Sequence, residues 1–478
     1  MRFRFRARFM PLVTLAILGL LLAACSNQPA AVQAVPVETA AVSGPQTDFL
    51  IVGKGNLKKG LEAVAAANGD SLRVISQGAG LAAVTTANPD AYAKFGSVVR
   101  DVRVQWLEPV ENVALEIDAG SPPFSDSTDT YLNLQWGHTA VGAVEAWDAG
   151  VRGAGVTVAV LDTGFDTDHP DLAPNISPLS VDFTGEGLTY ALPDPFSHGT
   201  HTAGTIGAAE NGRGTIGIAP DVTLLLVKVL GDEGSGSFED VMSGIIYATD
   251  NGADIINMSL GALFYKAGFW DDMGTADPAD DVWVSARDVA EFKNAMAAAI
   301  RYATQRGVLV VASAGNDAIN FDGAGALITL PGSAPGVITV GASAPTGWLP
   351  QLAANQEPKF DVLASYSNYG RSHLDFTAPG GDTAYPGNET CRVSGILQYC
   401  YVFDLVFSTG NGGYYWSGGT SMAAPHVAGV AALILSEYGG SGSLKLAKLE
   451  AQLRSRALDV GQPGNDAEFG NGMIHTGY

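Results

Sequence analysis

The chain has 478 residues, of which 46% are hydrophobic, and its formal net charge is −23, from 49 acidic and 26 basic residues. This length is sufficient for two or three domains with substantial cores. Proteins that bind nucleic acid are usually basic, so the strong negative charge disfavours that class. An acidic surface is typical both of secreted calcium-binding proteins and of proteins that are simply soluble, and composition does not decide between them.

The first 25 residues have the pattern of an export signal. Four arginines precede an apolar stretch, residues 10–24, that is too short to cross a bilayer comfortably. The stretch ends Leu-Ala-Ala-Cys25, which resembles the lipobox of bacterial lipoproteins. The resemblance implies that residues 1–24 are removed and that Cys25 receives lipid and anchors the protein to a membrane. An ordinary signal peptide with a chance cysteine is the alternative.

The two other cysteines, Cys391 and Cys400, form an even pair if Cys25 carries lipid. Exported proteins reach an oxidising compartment, so a disulfide between these two residues is expected. Two free thiols are the alternative. Residues 25–47 are rich in Ala, Val, Pro and Gln and lack periodicity, which predicts a tether between the membrane and the first folded domain.

Residues 48–110 are predicted to form a small α+β domain. Strands are expected at 48–52, 72–76, 80–85 and 98–106, with one helix over 57–67 and a second that starts near Pro89. The order β-α-β-β-α-β indicates a ferredoxin-like arrangement. Residues 111–130 contain Ser-Pro-Pro and a run of Ser, Asp and Thr, which predicts a linker with a processing site.

From residue 131 onward, buried-looking strands alternate with helical segments. The predicted strands include 156–161, 223–229, 255–258, 308–312 and 337–340. Near-continuous apolar runs of this kind suit a parallel sheet that is covered on both faces. The fold class expected for residues 131–478 is therefore α/β, with a doubly wound, mainly parallel sheet.

Three separated segments contain the parts of a proton relay. Asp162 ends the strongest predicted strand, His198 is followed by Gly-Thr-His201, and Ser421 lies on a Gly-rich turn before an apolar helix. A serine hydroxyl becomes a nucleophile only with a base within hydrogen-bond reach and a group that orients that base. Taken singly, Asp162 is also typical of a turn cap and Ser421 of a helix N-cap. Likewise, His198 and His201 have the spacing of two metal ligands on a helix.

Together these motifs resemble the subtilisin-like serine proteases, or subtilases. The matching residues are Asp162-Thr-Gly, His198-Gly-Thr-His and Gly-Thr-Ser421-Met-Ala-Ala-Pro-His, and Asp, His and Ser follow in the family's chain order. The resemblance covers residues 131–478. It implies that Ser421 is the nucleophile, His198 the general base and Asp162 the group that orients His198. It also implies an oxyanion hole formed by the Asn316 side chain and the Ser421 backbone N–H.

The resemblance further implies two edge segments and an oxyanion strand that bind an extended peptide, with main-chain hydrogen bonds that read few side chains. These residues are Gly234, Ser235, Gly236, Ser259, Leu260, Gly261, Ser313, Ala314 and Gly315. The partners implied are therefore protein or peptide substrates.

Calcium is the one cofactor that the resemblance implies, in a structural role, and no catalytic cofactor is expected. Asp171 and Asn211 match residues of a family calcium site. The position of the family's N-terminal glutamine ligand, however, falls on Leu132, and Gln135 is out of register. A hydrogen-bonded loop without metal is the alternative.

Residues 48–110 also resemble the inhibitory propeptide of subtilases, which predicts a self-processed zymogen that is held by its own N-terminal domain. Two insertions, 262–290 and 380–416, depart from compact family members and flank the predicted substrate segments; they either narrow the groove, form an extra metal site or decorate the surface. The overall hypothesis is an exported, monomeric serine endopeptidase, held in the bacterial cell envelope as a lipoprotein or extracellular after maturation. The alternatives are a subtilase that processes one partner, and an inactive envelope-binding lipoprotein on a protease fold.

Overall fold

A computed structural model describes residues 46–108, 110–115, 131–271, 279 and 281–478. The predicted signal sequence, Cys25 and nearly all of the tether lie outside these residues. Among the helices that are described, none is both long and apolar enough to cross a membrane.

The strands of the described chain are short and numerous. They are β1 (Thr47–Val52), β2 (Ser71–Ser76), β3 (Leu81–Thr86), β4 (Ser97–Arg100), β5 (Arg103–Gln105), β6 (Asn112–Ala114), β7 (Thr157–Asp162), β8 (Val181–Asp182), β9 (Thr223–Lys228), β10 (Ser235–Ser237), β11 (Ile255–Met258), β12 (Ala262–Tyr265), β13 (Gly268–Asp271), β14 (Val282–Ser285), β15 (Leu309–Ser313), β16 (Leu327–Leu330), β17 (Val337–Ala344), β18 (Val362–Leu363), β19 (Phe376–Pro379), β20 (Thr390–Val393), β21 (Ile396–Tyr399), β22 (Val406–Gly410) and β23 (Gly413–Ser417).

The described α-helices range from 5 to 19 residues, and four of them, introduced below with the sheet, cover its two faces. The helices are α1 (Leu61–Asn68), α2 (Trp136–Ala140), α3 (Ala143–Asp148), α4 (His198–Gly207), α5 (Phe238–Asp250), α6 (Ala286–Thr304), α7 (Trp348–Ala353), α8 (Thr420–Glu437) and α9 (Leu446–Arg456).

The small N-terminal domain has one four-stranded sheet in the order β2-β3-β1-β4, with all neighbours antiparallel. This is the order of a ferredoxin-like domain. The predicted second helix is reduced to a single turn of 3-10 helix, Pro89–Tyr92. The chain must turn soon afterwards at Gly96, where a Cβ atom would lie 2.4 Å from the carbonyl oxygen of Val52. Little length remains for a longer helix.

The prediction of one continuous strand over 98–106 is wrong. β4 ends in the small sheet at Arg100, and β5 pairs instead with β10 of the large domain, in antiparallel register. Between them the backbone N–H of Asp101 donates to the carbonyl of Asp48, and Val102 is buried. The free edge of β10 offers unpaired backbone groups, and β5 satisfies them.

The large domain contains an eight-stranded sheet in the order β18-β17-β15-β11-β7-β9-β8, with β19 pairing beside β17. All pairs are parallel except β17 with β18. β11 has the predicted bounds, and the other predicted strands are displaced, shortened or extended by one to four residues. The expected α/β fold is therefore confirmed.

Helices cover both faces of this sheet. α4 and α8 pack together on one face, while α5 and α6 pack together on the other. Residues of the small sheet, including Leu50, Val52 and Val99, belong to the same buried cluster as α5 and α6. The small domain therefore covers these two helices with apolar side chains, and its last strand leads directly into β5.

The two insertions have different structures. In the first, β12 pairs with β16, and β13 and β14 form a hairpin with Trp270 opposite Trp283; residues 272–278 and 280 lie outside the described part. In the second, β20 and β21 form a hairpin beside the disulfide between Cys391 and Cys400. The predicted disulfide is confirmed.

Candidate active site

Asp162 lies at the carboxyl end of β7 and is fully buried. Its Oδ1 accepts the backbone N–H of Thr163 and lies 2.7 Å from Nδ1 of His198, while Oδ2 accepts the hydroxyl of Thr202 at 3.1 Å. A buried carboxylate needs such partners. Because Nδ1 faces the carboxylate, Nε2 of His198 is left to exchange a proton with another group.

The two histidines of the His-Gly-Thr-His motif have different surroundings. His198 begins α4, whose first turn is capped by Ser197 through the backbone N–H of Thr200. His201 lies one turn later, fully buried, with Nε2 3.2 Å from the carbonyl oxygen of Val406. Burial lowers the pKa of His201 to about 3, so it stays neutral. The pair therefore does not converge on one metal ion, and His201 is structural.

Ser421 is the second residue of α8, and only 7% of its surface is exposed. Its hydroxyl donates to the carbonyl oxygen of Ser259 at 2.9 Å. In this structure, therefore, the Ser421 hydroxyl points to Ser259 and not to His198. The first backbone N–H groups of a helix lack partners inside it and favour an anionic oxygen. The N–H of Ser421 is such a donor.

Asn316 follows β15 and contacts the turn that precedes Ser421. Its Oδ1 accepts the backbone N–H and the hydroxyl of Thr420, at 2.9 and 2.8 Å. This fixes the orientation of the amide, and Nδ2 lies 3.6 Å from where a Cβ on Gly419 would be. The backbone N–H of Asn316 donates to Oε2 of Glu108 at 3.1 Å. Asn316 therefore presents an N–H donor beside the start of α8.

Residues 103–108 and 110–115, which we term the groove segment, cross this site. β5 pairs with β10, the strand that begins at Ser235. Next along the chain, the backbone N–H of Trp106 donates to the carbonyl of Gly234 at 3.0 Å, and its carbonyl accepts the N–H of Gly261 at 2.9 Å. The groove segment thus lies between both predicted substrate edges, in the extended conformation that a bound peptide requires.

The groove segment continues past the start of α8. The N–H of Gly418 donates to the carbonyl of Glu111 at 3.3 Å, and β6 then pairs antiparallel with β23. β6 falls within the predicted linker, residues 111–130, of which 116–130 lie outside the described part. Polypeptide is therefore hydrogen-bonded both before and after the position of Ser421.

The remaining predicted substrate residues, which include Leu260 and 313–315, make their contacts within the large domain. The N–H of Ala314 donates to Val340 within the sheet, and Ser313 and Leu260 are buried. Gly315 has φ of +99°, and a Cβ there would lie 2.4 Å from the side chain of Asn368, which explains the glycine. Of the stretch 313–316, Asn316 is the residue that hydrogen-bonds the groove segment.

A charged cluster that the sequence analysis did not anticipate lies beside Asp162. Lys228 ends β9 opposite Asp162, and its fully buried ammonium pairs with Asp232 and lies 3.2 Å from Glu186. Asp232 also accepts the backbone N–H of Gly164. The cluster connects the turn after Asp162 to the loop before β10. A lysine at the end of the apolar run Thr-Leu-Leu-Leu-Val was the available signal.

The predicted calcium ligands are engaged with hydrogen-bond donors. Oδ2 of Asp171 accepts the backbone N–H of Thr215 and the hydroxyl of Tyr414, both at 3.0 Å, and Oδ1 accepts the amide of Asn211 at 3.1 Å. The amide oxygen of Asn211 accepts the N–H of Arg213. Calcium requires these same oxygens. The donor set therefore fits the hydrogen-bonded loop better than a metal site.

The α/β fold thus holds Asp162 and His198 as a hydrogen-bonded pair, and α4, which His198 begins, packs against α8, which carries Ser421. A family model described as "Subtilase family" (Peptidase_S8) matches residues 153–472, which is more than half of the chain. The chain belongs to this family and is a subtilisin-like serine endopeptidase.

Individual relatives agree with this assignment. M-protease of Shouchella clausii (strain KSM-K16) is 33% identical over 375 residues, covering 77% of this chain and 77% of the relative. The major intracellular serine protease of Bacillus subtilis (strain 168) is 35% identical over 347 residues, covering 72% and 88%.

Solved structures are similar as well. A lanthipeptide protease is 30% identical, with a TM-score of 0.54 over 71% of this chain and 92% of that chain. The epidermin leader peptide processing protease of Staphylococcus aureus has a TM-score of 0.66 over 91% and 97% of the two chains. At 22% identity, this second likeness shows the shared fold alone.

Proposed function

We propose that Ser421, His198 and Asp162 act as a catalytic triad that hydrolyses peptide bonds through an acyl-enzyme. The observation that carries this proposal is a stretch of polypeptide, the groove segment, hydrogen-bonded on both sides of Ser421. A groove that holds an extended chain by its main-chain groups accepts proteins or peptides as substrates.

In the proposed mechanism, Nε2 of His198 removes the proton of the Ser421 hydroxyl as Oγ attacks the substrate carbonyl. Nδ2 of Asn316 and the N–H of Ser421 donate to the oxyanion. His198 then protonates the departing amine, and water releases the acyl group by the same steps in reverse. Because the Ser421 hydroxyl now donates to Ser259, its side chain must rotate toward His198 before attack.

The test of the proposed function is labelling with a fluorophosphonate, which reacts with an activated serine. We expect the parent enzyme to be labelled and to cleave a fluorogenic peptide, and Ser421→Ala to do neither. Ser455→Ala is the matched control, because this exposed serine on α9 lies outside the site. An unlabelled, inactive parent enzyme would disprove the proposal.

We further propose that the enzyme is made as a self-processed zymogen. The small domain packs on α5 and α6, and the groove segment that follows it fills the cleft that a substrate would need. Contacts of Glu108 with Asn316 and of Glu111 with Gly418 favour a cut among the bonds of residues 107–111, upstream of most of the predicted range 111–130.

N-terminal sequencing tests self-processing. The parent protein is expected to begin near residues 108–112 after maturation, whereas Ser421→Ala keeps the small domain. Identical N-termini in the two proteins would show that another protease makes the cut.

Export as a lipoprotein is a separate proposal, supported by the N-terminal motif that ends at Cys25 and by the disulfide at Cys391. Envelope fractionation with mass spectrometry of the N-terminal peptide tests it. A lipid-modified Cys25 in the membrane fraction is expected before maturation. Loss of membrane association in Cys25→Ser, with unchanged activity, would agree; a soluble, unmodified parent precursor would contradict it.

Processing of one partner protein is a second candidate, favoured by the 30% identity to a lanthipeptide protease. A library of internally quenched peptides distinguishes the two functions. Cleavage of many sequences supports a general endopeptidase, whereas a labelled enzyme that leaves the library intact supports the processing role.

A further inference from the structure

A cavity lies between the small domain and the second half of α6. On the small-domain side it is lined by the turn after β1, residues 53–56, which the N–H of Gly53 holds in place by donating to the carbonyl of Gly80 at 2.8 Å. On the other side lie Arg301 and Arg306. The volume of the cavity is about 710 Å³, which is within the range of small-molecule sites.

A second cavity, of about 580 Å³, shares Lys54 and Ser97 with the first. Its lining also includes Lys58 of the small domain and Arg287 in the first turn of α6. Each cavity therefore contains cations from both domains. The cations of the two cavities, which we term the interdomain cations, are Lys54, Lys58, Arg287, Arg301 and Arg306.

The interdomain cations stand out because the chain as a whole has a net charge of −23. Each cavity has one carboxylate among the described residues of its lining, Glu291 in the first and Asp90 in the second. Glu291 is already engaged, since it accepts the hydroxyl of Ser97 at 2.9 Å and the side-chain amide of Asn294 at 3.3 Å. Within the part of the chain that the structure describes, none of the interdomain cations forms a salt bridge. Positive charge therefore exceeds negative charge in both cavities.

Two of the interdomain cations are oriented by neutral groups. Arg306 donates to the carbonyl of Tyr302 at 3.1 Å, and its guanidinium lies 3.4 Å from the centre of the Tyr302 ring. Lys58 donates to the carbonyl of Lys94. Such contacts hold the side chains in place but cancel none of their charge. The positive charge of the two cavities is therefore available to an anionic ligand.

We propose that the two cavities form a binding site for phosphate groups, carried by phospholipid headgroups or by free polyphosphate. Arginine side chains match the oxygen atoms of a phosphate, and several cations together favour a polyvalent anion over a single carboxylate. Because the interdomain cations come from both domains, a bound ligand stabilises the small domain on α6. This inference goes beyond the proposed peptidase function and does not rest on it.

Calorimetric titration of the Ser421→Ala precursor with inorganic tripolyphosphate tests the site, in a buffer of constant ionic strength without divalent cations. Saturable binding is expected, with a rise in the unfolding temperature of the precursor. Arg301→Ala should weaken binding about tenfold, and Lys54→Ala about 3- to 10-fold, because each removes a charged donor. The matched controls are Lys293→Ala on α6 and Lys59→Ala in the small domain. Both residues are exposed and lie outside the two cavities, so each control should change the affinity less than about twofold.

Vesicle flotation distinguishes the two sources of phosphate. The Ser421→Ala precursor that also has Cys25→Ser cannot be anchored by lipid at that residue, and a strongly acidic chain is otherwise repelled by an anionic surface. Binding to phosphatidylglycerol vesicles but not to phosphatidylcholine vesicles, weakened by Arg301→Ala, assigns the site to phospholipid headgroups. Binding of tripolyphosphate without binding of vesicles assigns it to free polyphosphate.

The unfolding temperature of each variant without ligand shows whether it is folded; if Arg301→Ala is not, the comparison of Lys54→Ala with Lys59→Ala decides. No saturable binding of either probe, or equal affinities in Arg301→Ala and Lys293→Ala, would overturn the inference. None of these measurements uses peptide hydrolysis, so their failure leaves the proposed function untouched. That function is rejected instead by a parent enzyme that does not react with the fluorophosphonate.

Discussion

The two halves of the active site differ in how far the fold has already arranged them. On one side, Asp162 and His198 make the contacts that a triad requires, and Thr202 holds the carboxylate as well. On the other side, Ser421 donates to Ser259, and the backbone of Asn316 is engaged by Glu108 of the groove segment. In the proposed mechanism the base is therefore preorganised, while the Ser421 hydroxyl must leave Ser259 before catalysis.

The physical cause lies in what each half contacts. Asp162 is buried at a strand end inside the domain, so its hydrogen bonds are made by the fold itself. Ser421 and Asn316 lie in the cleft that the groove segment fills, and this segment supplies the partner of the Asn316 backbone N–H. Removal of the groove segment should therefore change the hydrogen bonds around Ser421 and Asn316 and leave those of Asp162 and His198 unchanged.

The largest effect is expected from breaking the preorganised half. Asp162→Asn should lower kcat about 10⁴-fold, because an amide cannot both accept from Nδ1 of His198 and stabilise its charged form. Peptide hydrolysis by the matured variant, processed in trans by the parent enzyme, provides the measurement. Asp148→Asn, at an exposed position on α3, is the control. A loss of less than tenfold would mean that Asp162 does not orient the base.

The next effect concerns the oxyanion donor of the serine half. Asn316→Ala should lower kcat about 10²- to 10³-fold with little change in KM, because the donor acts mainly in the transition state. Steady-state kinetics on a fluorogenic peptide separate the two constants, and Asn294→Ala on α6 serves as the control. A change confined to KM would assign Asn316 to substrate binding instead.

A smaller effect tests whether a metal supports the strand that leads to Ser421. Tyr414→Phe should lower the free energy of unfolding by about 1–2 kcal/mol, because Asp171 loses a charge-assisted hydrogen bond. Thermal unfolding is measured with and without calcium or a chelator. Calcium and the chelator should change the unfolding temperature of the parent protein little. A strong calcium dependence that disappears in Asp171→Asn would instead support the predicted calcium site.

The smallest effect concerns the groove segment and pH. Burial, and then the nearby Asp317, raise the pKa of Glu108 to about 7. Because its folded pKa is raised, the protonated form of Glu108 is the form that the folded precursor favours. Its contribution to the free energy of unfolding is fully present below the unfolded pKa near 4.3 and is lost as the pH rises through about 7. The Ser421→Ala precursor should therefore lose about 1 kcal/mol between pH 5 and 8, after solvent screening.

The matched variant for this prediction is Ser421→Ala combined with Glu108→Gln. Its thermal unfolding should change less between pH 5 and 8 than that of the Ser421→Ala precursor. The same pH slope in both proteins would show that other groups, such as the half-buried Asp101 near Glu239 and Asp240, control it; removal from water raises the pKa of Asp101 as well.

Much of the fold was predictable because its signals are local. The apolar run that ends at Asp162 predicted β7 within one residue, and the glycine turn before Ser421 predicted the start of α8. Sequence reasoning failed at residues 98–106, where alternation suggested one strand although two different sheets use its two parts. Alternation records which side chains are buried, but it does not identify the sheet that buries them.

The sequence alone determined the chemistry available here: a serine, a histidine and a carboxylate at the ends of predicted elements, and cysteines in an even pair. Only the tertiary structure decided which groups meet. It placed Tyr414 on Asp171, Trp106 against Phe238, and Glu108 on Asn316. The two members of each pair are more than 100 residues apart in the chain, and each pair forms because packing brings distant elements together. The periodicity of a segment indicates which of its side chains are buried, but not which distant residues they contact.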